Sequence, residues 1–332
     1  MNKDTLALTN VKKRYIAKMD TVISLRLNLN NEHERFVLHG DDFKYDFRPN
    51  IFFGNRLSVN YRFISLGFGF ALRFIPGNNG NELQGKTSAY FFRLNLFTTH
   101  WAQELQFGRT KGFYLFNTGD YSPGWKKGTD PYIQFPGLRV IAFSGTTSYK
   151  FNPNFSLKAL TTQTEIQIKS CGSLIPSLSY SYYRIDNKES KATGTSSQVS
   201  HSYDAVLSLG YYYTFVISSR IYVSLGLAPG CGAVYTHLIT QLPGEKILSD
   251  YVSAVFRMRE RIGIGYNSRK FFAGVDVSLA QSTQERSGSA VQLNASRTYF
   301  QVFAGYRFTA PAFLKKKVLQ VEKLVPLKSD PK

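Results

Sequence analysis

The stretch Gly80-Asn81-Glu82-Leu83-Gln84-Gly85-Lys86-Thr87 satisfies G-x-x-x-x-G-K-[ST], the pattern of a loop whose backbone amides cradle phosphates. That chemistry needs a buried parallel strand before the loop and a helix after it, so that N-terminal amides meet the anion. Ser88 to Phe97 instead reads as an alternating strand, and no metal-binding aspartate closes a later apolar strand. The expectation is an outer loop that binds no nucleotide.

A second candidate is the polar row Gln163, Glu165, Gln167, Ser170 and Ser173, which ends in Ser170-Cys171-Gly172-Ser173. Barrel hydrolases of phospholipid or lipopolysaccharide acyl chains set Ser, His and an acid on strands without a short motif, and this row is where such a site would fit. Hydrogen bonding inside a lumen is the plainer role for the same residues. No G-x-S-x-G elbow or H-E-x-x-H pair occurs, and His33, His39, His100, His201 and His237 are scattered as polar surface. Cys171 and Cys231 have no metal-ligand spacing, and a disulfide or two free thiols both remain open. No catalytic residue, metal site or cofactor is expected.

The arginines form the largest chemically capable group. Arg26, Arg56, Arg62, Arg73, Arg93, Arg257, Arg259, Arg261 and Arg307 all fall on the polar side of alternating segments, with Glu104, Glu165 and Asp276 as the matching acids. Enclosed together, they would make a structural network in a narrow barrel or favour anions in an open one.

The elements that must position them have period two. In Ile64 to Phe74 the even residues are Ile64, Leu66, Phe68, Phe70, Leu72 and Phe74, and the odd ones are Ser65, Gly67, Gly69, Ala71 and Arg73. Helices do not alternate this way; strands with one apolar face do. The same split recurs in Thr21 to Asn30, Asn55 to Phe63, Ala205 to Phe215, Phe271 to Leu279 and Phe300 to Phe308. In Ala254 to Tyr266, Arg257, Arg259 and Arg261 oppose Phe256, Met258, Ile262 and Ile264, while Glu260 falls on the apolar side. Long strands, small residues and arginines on one face, and aromatics such as Tyr61, Trp101, Tyr149, Tyr266 and Phe308 at strand ends point to a transmembrane barrel with lipid outside.

Connections alternate in length. Short turns fall near 62–64, 98–100, 152–154, 218–219 and 267–270, and long polar loops near 31–49, 76–86, 117–136, 187–200, 241–250 and 281–294. Short turns belong on the periplasmic side. The candidate strands come to an odd number, about thirteen, whereas bacterial single-chain barrels have even numbers. Phe155 to Lys169 is the segment in question, because its alternation slips at Leu160 and its second half is too polar to face lipid. A bulge or an inward-bent segment would explain it. The expected fold is therefore all-β: a closed antiparallel transmembrane β-barrel of about 12 strands over residues 21–308. Residues 1–20 are an N-terminal periplasmic segment and 309–332 a basic, Pro-containing periplasmic tail, read as solvated, with docking of a short amphipathic piece around Val318 to Val325 as the alternative.

Composition agrees with this class. The 332 residues carry 27 Phe and 21 Tyr, too aromatic for disorder, and a net charge of +19. No apolar run reaches the roughly 18 residues of a helical span. Basic residues spread over strands, with no helix to enter a groove, argue against nucleic acid; basic loops facing lipopolysaccharide phosphates are the better electrostatic match. Met1 to Asp4 lacks the apolar run of a secretory leader, and the expectation of an outer-membrane location takes that leader as already removed. Outer-membrane lipid, lipopolysaccharide and envelope proteins are the expected partners.

Ordered short segments also carry a family resemblance. Pro49-Asn50, Tyr61-Arg62-Phe63, Lys111-Gly112-Phe113-Tyr114, the Tyr149 to Ser156 turn with Phe151-Asn152 and Phe155-Ser156, and Gln163 to Ser173 resemble a Bacteroidetes outer-membrane β-barrel family of unknown function. They span Thr21 to Phe308, and Cys171 departs from the small residue, such as Ala, expected there. The resemblance implies fold and outer-membrane location in a Gram-negative bacterium. It supplies no catalytic residue, and a structural, pore or envelope-assembly role is what it leaves.

Overall fold

Strands with one apolar face leave reactive edges unless the sheet closes on itself. The computed structural model of the chain describes residues 14–31, 35–39, 44–187, 197–242, 245–284, 291–292 and 297–324. In chain order its elements are β1 (Ile16–Lys18), β2 (Val22–Asn30), β3 (Phe36–His39), β4 (Lys44–Arg48), β5 (Gly54–Tyr61), β6 (Ile64–Phe70), α1 (Asn81–Gln84), β7 (Ser88–Phe97), β8 (Trp101–Leu115) and β9 (Gln134–Tyr149). There follow α2 (Leu157–Thr161), β10 (Glu165–Gln167), β11 (Cys171–Asn187), β12 (Ser197–Val216), β13 (Ile221–Leu242), β14 (Glu245–Asn267), β15 (Phe271–Gln284), β16 (Val291–Gln292), β17 (Arg297–Thr309) and α3 (Ala312–Leu324).

Twelve of the strands form a closed antiparallel barrel, running β2, β5, β6, β7, β8, β9, β11, β12, β13, β14, β15, β17 and back to β2. Closure is made by β17 on β2, from Gln301 opposite Asn30 to Thr309 opposite Val22, and by β8 on β9, with Trp101 opposite Tyr149. The parity difficulty is thereby resolved. Phe155 to Lys169 does not span the wall; it folds as α2 and β10, and β10 pairs with β1 outside the barrel sheet.

The alternation faces apolar residues outward. Leu27, Leu57, Phe68, Leu207, Leu227 and Ile262 are exposed, whereas Arg26, Asn28, Arg56, Ser58, Asn60, Ser208 and Asp276 are buried on the lumen side. This is the inside-out arrangement of a membrane barrel. Glu260 also faces out, opposite Leu227 and Leu279. The lumen core is polar at mid-height and apolar toward its two ends. At the loop end the β3–β4 hairpin turns into the barrel mouth and packs Phe36 and Phe47 on Phe113, Leu115, Leu138, Val140 and Ile185. A bulge between Lys111 and Phe113 makes this possible, because it switches the inward parity of β8 from even residues such as Glu104 to Phe113 and Leu115. Gly112 has φ +88°, and a Cβ there would collide with the Lys86 carbonyl.

Several sequence expectations are corrected. β6 stops at Phe70 instead of reaching Phe74, because the Asn78 amide donates to the Leu72 and Phe53 carbonyls (2.9 and 2.7 Å) and its oxygen accepts from Phe52 N (2.7 Å). Those bonds fold residues 71–80 into a loop. The segment 241–250 is not a long loop: β13 and β14 continue to Leu242 opposite Glu245, and Asp250 accepts from Tyr235 (2.6 Å) and sits 2.7 Å from His237 across the hairpin. Nor is the described part of the tail free. In α3, Leu314 and Val318 pack on Ile23, Tyr61 and Ala310, at the outer wall near the short turns. An i, i+4 apolar pair beside Lys315-Lys316-Lys317 is enough to hold a helix on such a surface.

Candidate functional site

Between β9 and β11 the chain enters the barrel at the end where the short turns lie, and builds a floor across it. Ser156 starts α2, its Oγ accepting from Ala159 N at 3.0 Å and donating to Glu165 Oε2 at 2.5 Å. Lys158 Nζ lies 2.7 Å from Glu165 Oε1, so the one buried carboxylate of this segment is paired from both sides. Phe155 and Leu160 fill the space against Ile175 and Tyr222 of the wall. Gln163, fully buried with φ 52°, reverses the chain into β10.

A five-residue helix leaves its last carbonyls without intrahelical partners. Here the barrel wall supplies them. Arg261 Nη2 donates to Leu160 O (3.3 Å), Arg26 Nη1 to Thr161 O, and Ser24 Oγ to Thr162 O (3.2 Å). Arg26 also reaches Gln163 Oε1 (2.8 Å) and stacks on Phe303. Arg307 donates to Gln163 O from Nε (2.9 Å) and Nη2 (2.5 Å), to Asn267 Oδ1 (2.6 Å) and to Ser268 O. Asn267 Nδ2 donates to Glu165 O at 3.3 Å. The floor is thus held by charge-assisted bonds to backbone acceptors, the stronger class of hydrogen bond.

Above the floor lies a polar cavity of about 700 Å³, continued downward by a smaller one of about 160 Å³; Arg93 and Glu104 line both. In the lower part Arg56 donates to Gln301 (3.0 Å) and Tyr299 (3.1 Å), and Gln301 and Arg261 converge on Asp276 (2.9 and 3.0 Å). In the upper part Arg93 Nε donates to Gln106 (2.8 Å) and Arg257 Nη2 to Asp204 (2.7 Å). Arg259, two residues from Arg257 on β14, also lines this upper part.

Residues 3–308 match the family described as Domain of unknown function (DUF4421). The chain belongs to this family. No curated protein matches it. Among solved structures it is similar to OmpT, an outer membrane protein of Vibrio cholerae, at 8% identity and TM-score 0.30, covering 88% of this chain and 97% of that one. It is likewise similar to the outer membrane protease OmpT of Escherichia coli, at 10% identity and TM-score 0.37 with the same coverage of 88% and 97%. The toluene transporter TodX of Pseudomonas putida matches at 8% identity and TM-score 0.30, over 87% of this chain and 90% of that one. These are likenesses of fold; protease and transporter are words about those proteins.

Of the twelve residues read as lumen-lining, the structure brings Arg26, Arg56, Arg93, Glu104, Arg257, Arg259, Arg261 and Asp276 to the cavities and Arg307 to the floor. Three lie elsewhere. Arg62, with φ 52°, occupies the turn between β5 and β6; Arg73 is in the loop after β6; Glu165 is inside the floor segment. In the first two cases the alternation in the sequence runs on past the end of the strand, at Tyr61 and at Phe70. The pairing of Asp204, the ion pair of Lys158 and the keystone role of Gln163 are not spelled out by any residue pattern in the sequence. Only the cap at Ser156, a helix-capping type before Leu157-Lys158-Ala159-Leu160, carries a local signal.

The remaining motifs are structural in their described contacts. Thr87 Oγ1 accepts from Asn50 N (2.8 Å) and donates to Gly112 O (2.7 Å), and α1 precedes Gly85-Lys86-Thr87 instead of following it. Ser170 Oγ accepts from Val216 N (2.9 Å), and Ser173 Oγ donates to Leu174 O (2.9 Å). Cys171 and Cys231 are both free thiols. His33 falls outside the described residues, as does the side chain of His39.

Lys150, the first residue past β9, gives the floor a pH dependence. Its Nζ donates to Phe155 O and, at 3.4 Å, to Pro153 O, and burial pushes its pKa down to about 8 while Glu165 acts in the opposite direction. Below about 8 the group is charged in both folded and unfolded chains, so the burial cost is present in full. Between about 8 and the ordinary 10.5 the folded protein binds fewer protons, and stability rises with pH. From pH 7 to pH 10 the urea midpoint of the wild type should therefore rise relative to that of Lys150→Met; parallel curves would mean that Lys150 is solvated.

Proposed function

We propose that the protein is an integral outer-membrane barrel of a Gram-negative envelope, seated with its short turns toward the periplasm, and that its role is structural or assembly-related, not that of an open pore. The observation carrying this reading is the floor. Wall residues Arg26, Arg261, Arg307 and Asn267 all donate to backbone acceptors of residues 160–165, so the segment is bonded to the arc of wall from β2 through β17 to β14, and Phe155 and Leu160 pack it on Ile175 of β11 and Tyr222 of β13. The β3–β4 hairpin packed into the opposite mouth supports it.

Lipid contacts fit the same seating. Arg109 and Lys111 share the outward parity of Phe107 toward the loop end, where lipopolysaccharide phosphates would meet them. At the other end α3 lies on the wall with Phe313 exposed beside three lysines, the composition of a helix resting at a membrane interface.

Planar-bilayer recording tests the reading. Purified wild-type protein should give no steady conductance, and a variant in which residues 152–169 are replaced by a short Asn-Gly turn joining β9 to β11 should conduct. Steady wild-type conductance would establish a pore.

A further inference from the structure

The chain places three arginines in alternate positions of β14 and clears space around each. Arg257 lies between Gly230 and Ser282 on the neighbouring strands, Arg259 between Ala228 and Ala280, and Arg261 between Gly226 and Ser278. Glycine, alanine and serine leave guanidinium groups free to extend into the lumen. The outer two are engaged: Arg257 holds Asp204 (2.7 Å) and Ser282 (3.0 Å), and Arg261 holds Asp276 (3.0 Å) and Leu160 O (3.3 Å). The Arg259 side chain has neither a hydrogen bond nor an ion pair among the described residues, and it lines the cavity of about 700 Å³.

A cation with five donors in a low-dielectric enclosure attracts a compensating anion. The acids that line this cavity are Glu104 and Asp204, of which Asp204 is committed to Arg257, while the lining cations are Arg93, Arg257, Arg259 and Arg35, the last of which is paired with Asp46 (2.7 Å). Across the cavity, Thr110, Ser144, Thr146, Ser179 and Ser181 present hydroxyl groups. A cation facing a hydroxyl-bearing wall matches a ligand with an oxyanion at one end and hydroxyl groups on its body. The volume lies within the usual range of small-molecule sites, roughly 300–1,000 Å³.

We propose that the lumen holds a sugar phosphate, with Arg259 binding the phosphate in a bidentate fork and the serine and threonine wall of β8, β9 and β11 meeting the sugar hydroxyls. This deepens the closed-barrel reading, since the floor is what makes the lumen a cup; bilayer conductance reports on the floor and ligand binding on Arg259, so either can fail alone.

The test is isothermal titration of the full chain in detergent with glucose 6-phosphate, inorganic phosphate and glucose. Glucose 6-phosphate should bind saturably, phosphate more weakly, and glucose without measurable heat. Arg259→Gln should weaken glucose 6-phosphate about tenfold or more, as loss of a charge-assisted fork implies. Arg220→Gln, at a short turn outside the lumen, should leave binding unchanged. Ala280→Glu, which plants a carboxylate directly beside Arg259, should abolish binding and keeps the test decisive if Arg259→Gln does not fold. Displacement of glucose 6-phosphate by a diphosphorylated glycolipid in mixed micelles would assign the phosphate to a lipid headgroup, and lack of displacement to a soluble sugar. No saturable binding of glucose 6-phosphate, or wild-type affinity in folded Arg259→Gln or Ala280→Glu, would overturn the proposal.

Discussion

Arg307→Ala should unseat the floor while leaving the barrel closed. Arg307 is 2% exposed, donates to Gln163 O, Asn267 Oδ1 and Ser268 O, and lies over the Phe272 ring at 4.9 Å. Alanine strands these acceptors in a site without replacement donors, and each such loss costs about 1–3 kcal/mol. Shared among three acceptors and a stacking contact, the total is on the order of 3–5 kcal/mol. The backbone pairing of Arg307 with Ser24 in β2 is independent of the side chain, so the wall itself persists. The expected results are intermittent conductance in planar bilayers, faster trypsin cleavage at Lys158 and Lys169, and retained heat-modifiable migration. Arg307→Lys keeps the charge but loses the fork that spans several acceptors, and should be intermediate. An alanine variant that stays silent and protease-resistant would show that the bonds from Arg26, Arg261 and Asn267 together with Phe155 and Leu160 packing hold the floor without Arg307.

How the floor is held was the part of the site least legible in the sequence. Strand positions announce themselves locally, because Leu25, Leu27 and Leu29 opposing Arg26 and Asn28 is a pattern contained within six residues. The bonds from Arg26 and Arg307 to Thr161 and Gln163 join residues more than a hundred positions apart, and no periodicity encodes them. What could be read was their consequence: a strand count of the wrong parity and a polar stretch, 155–169, unable to face lipid. The same locality explains the errors. Parity carried past Phe70 put Arg73 in the lumen, since nothing near Ala71 marks the Asn78 bonds that end β6. Phe36, Val37 and Phe47 lie among charged residues in a stretch with the composition of a polar loop, although the Gly112 bulge turns an apolar stripe of β8 toward them. The polar segment 241–250 has the composition of a long loop, yet β13 and β14 stay paired as an extended hairpin as far as Leu242 and Glu245.

Leu207→Arg separates a lipid-facing surface from a solvated one by the sign of its effect. Leu207 lies in β12, outward, 62% exposed, opposite Leu178 and Cys231, with nine residues of strand between it and the turn that follows Val216. In water an exposed leucine replaced by arginine changes stability by roughly half a kcal/mol or less. Facing hydrocarbon near the bilayer midplane, the same change costs about 2–4 kcal/mol, because the guanidinium must be dehydrated or the bilayer thinned around it. Refolding from urea into phospholipid vesicles should accordingly show a loss of that size for Leu207→Arg, against almost none for lumen-facing Ser278→Ala. Were Leu207→Arg neutral in vesicles, the outward leucine rows would be facing water, and the cationic interior would need an explanation other than a polar lumen sealed inside a membrane.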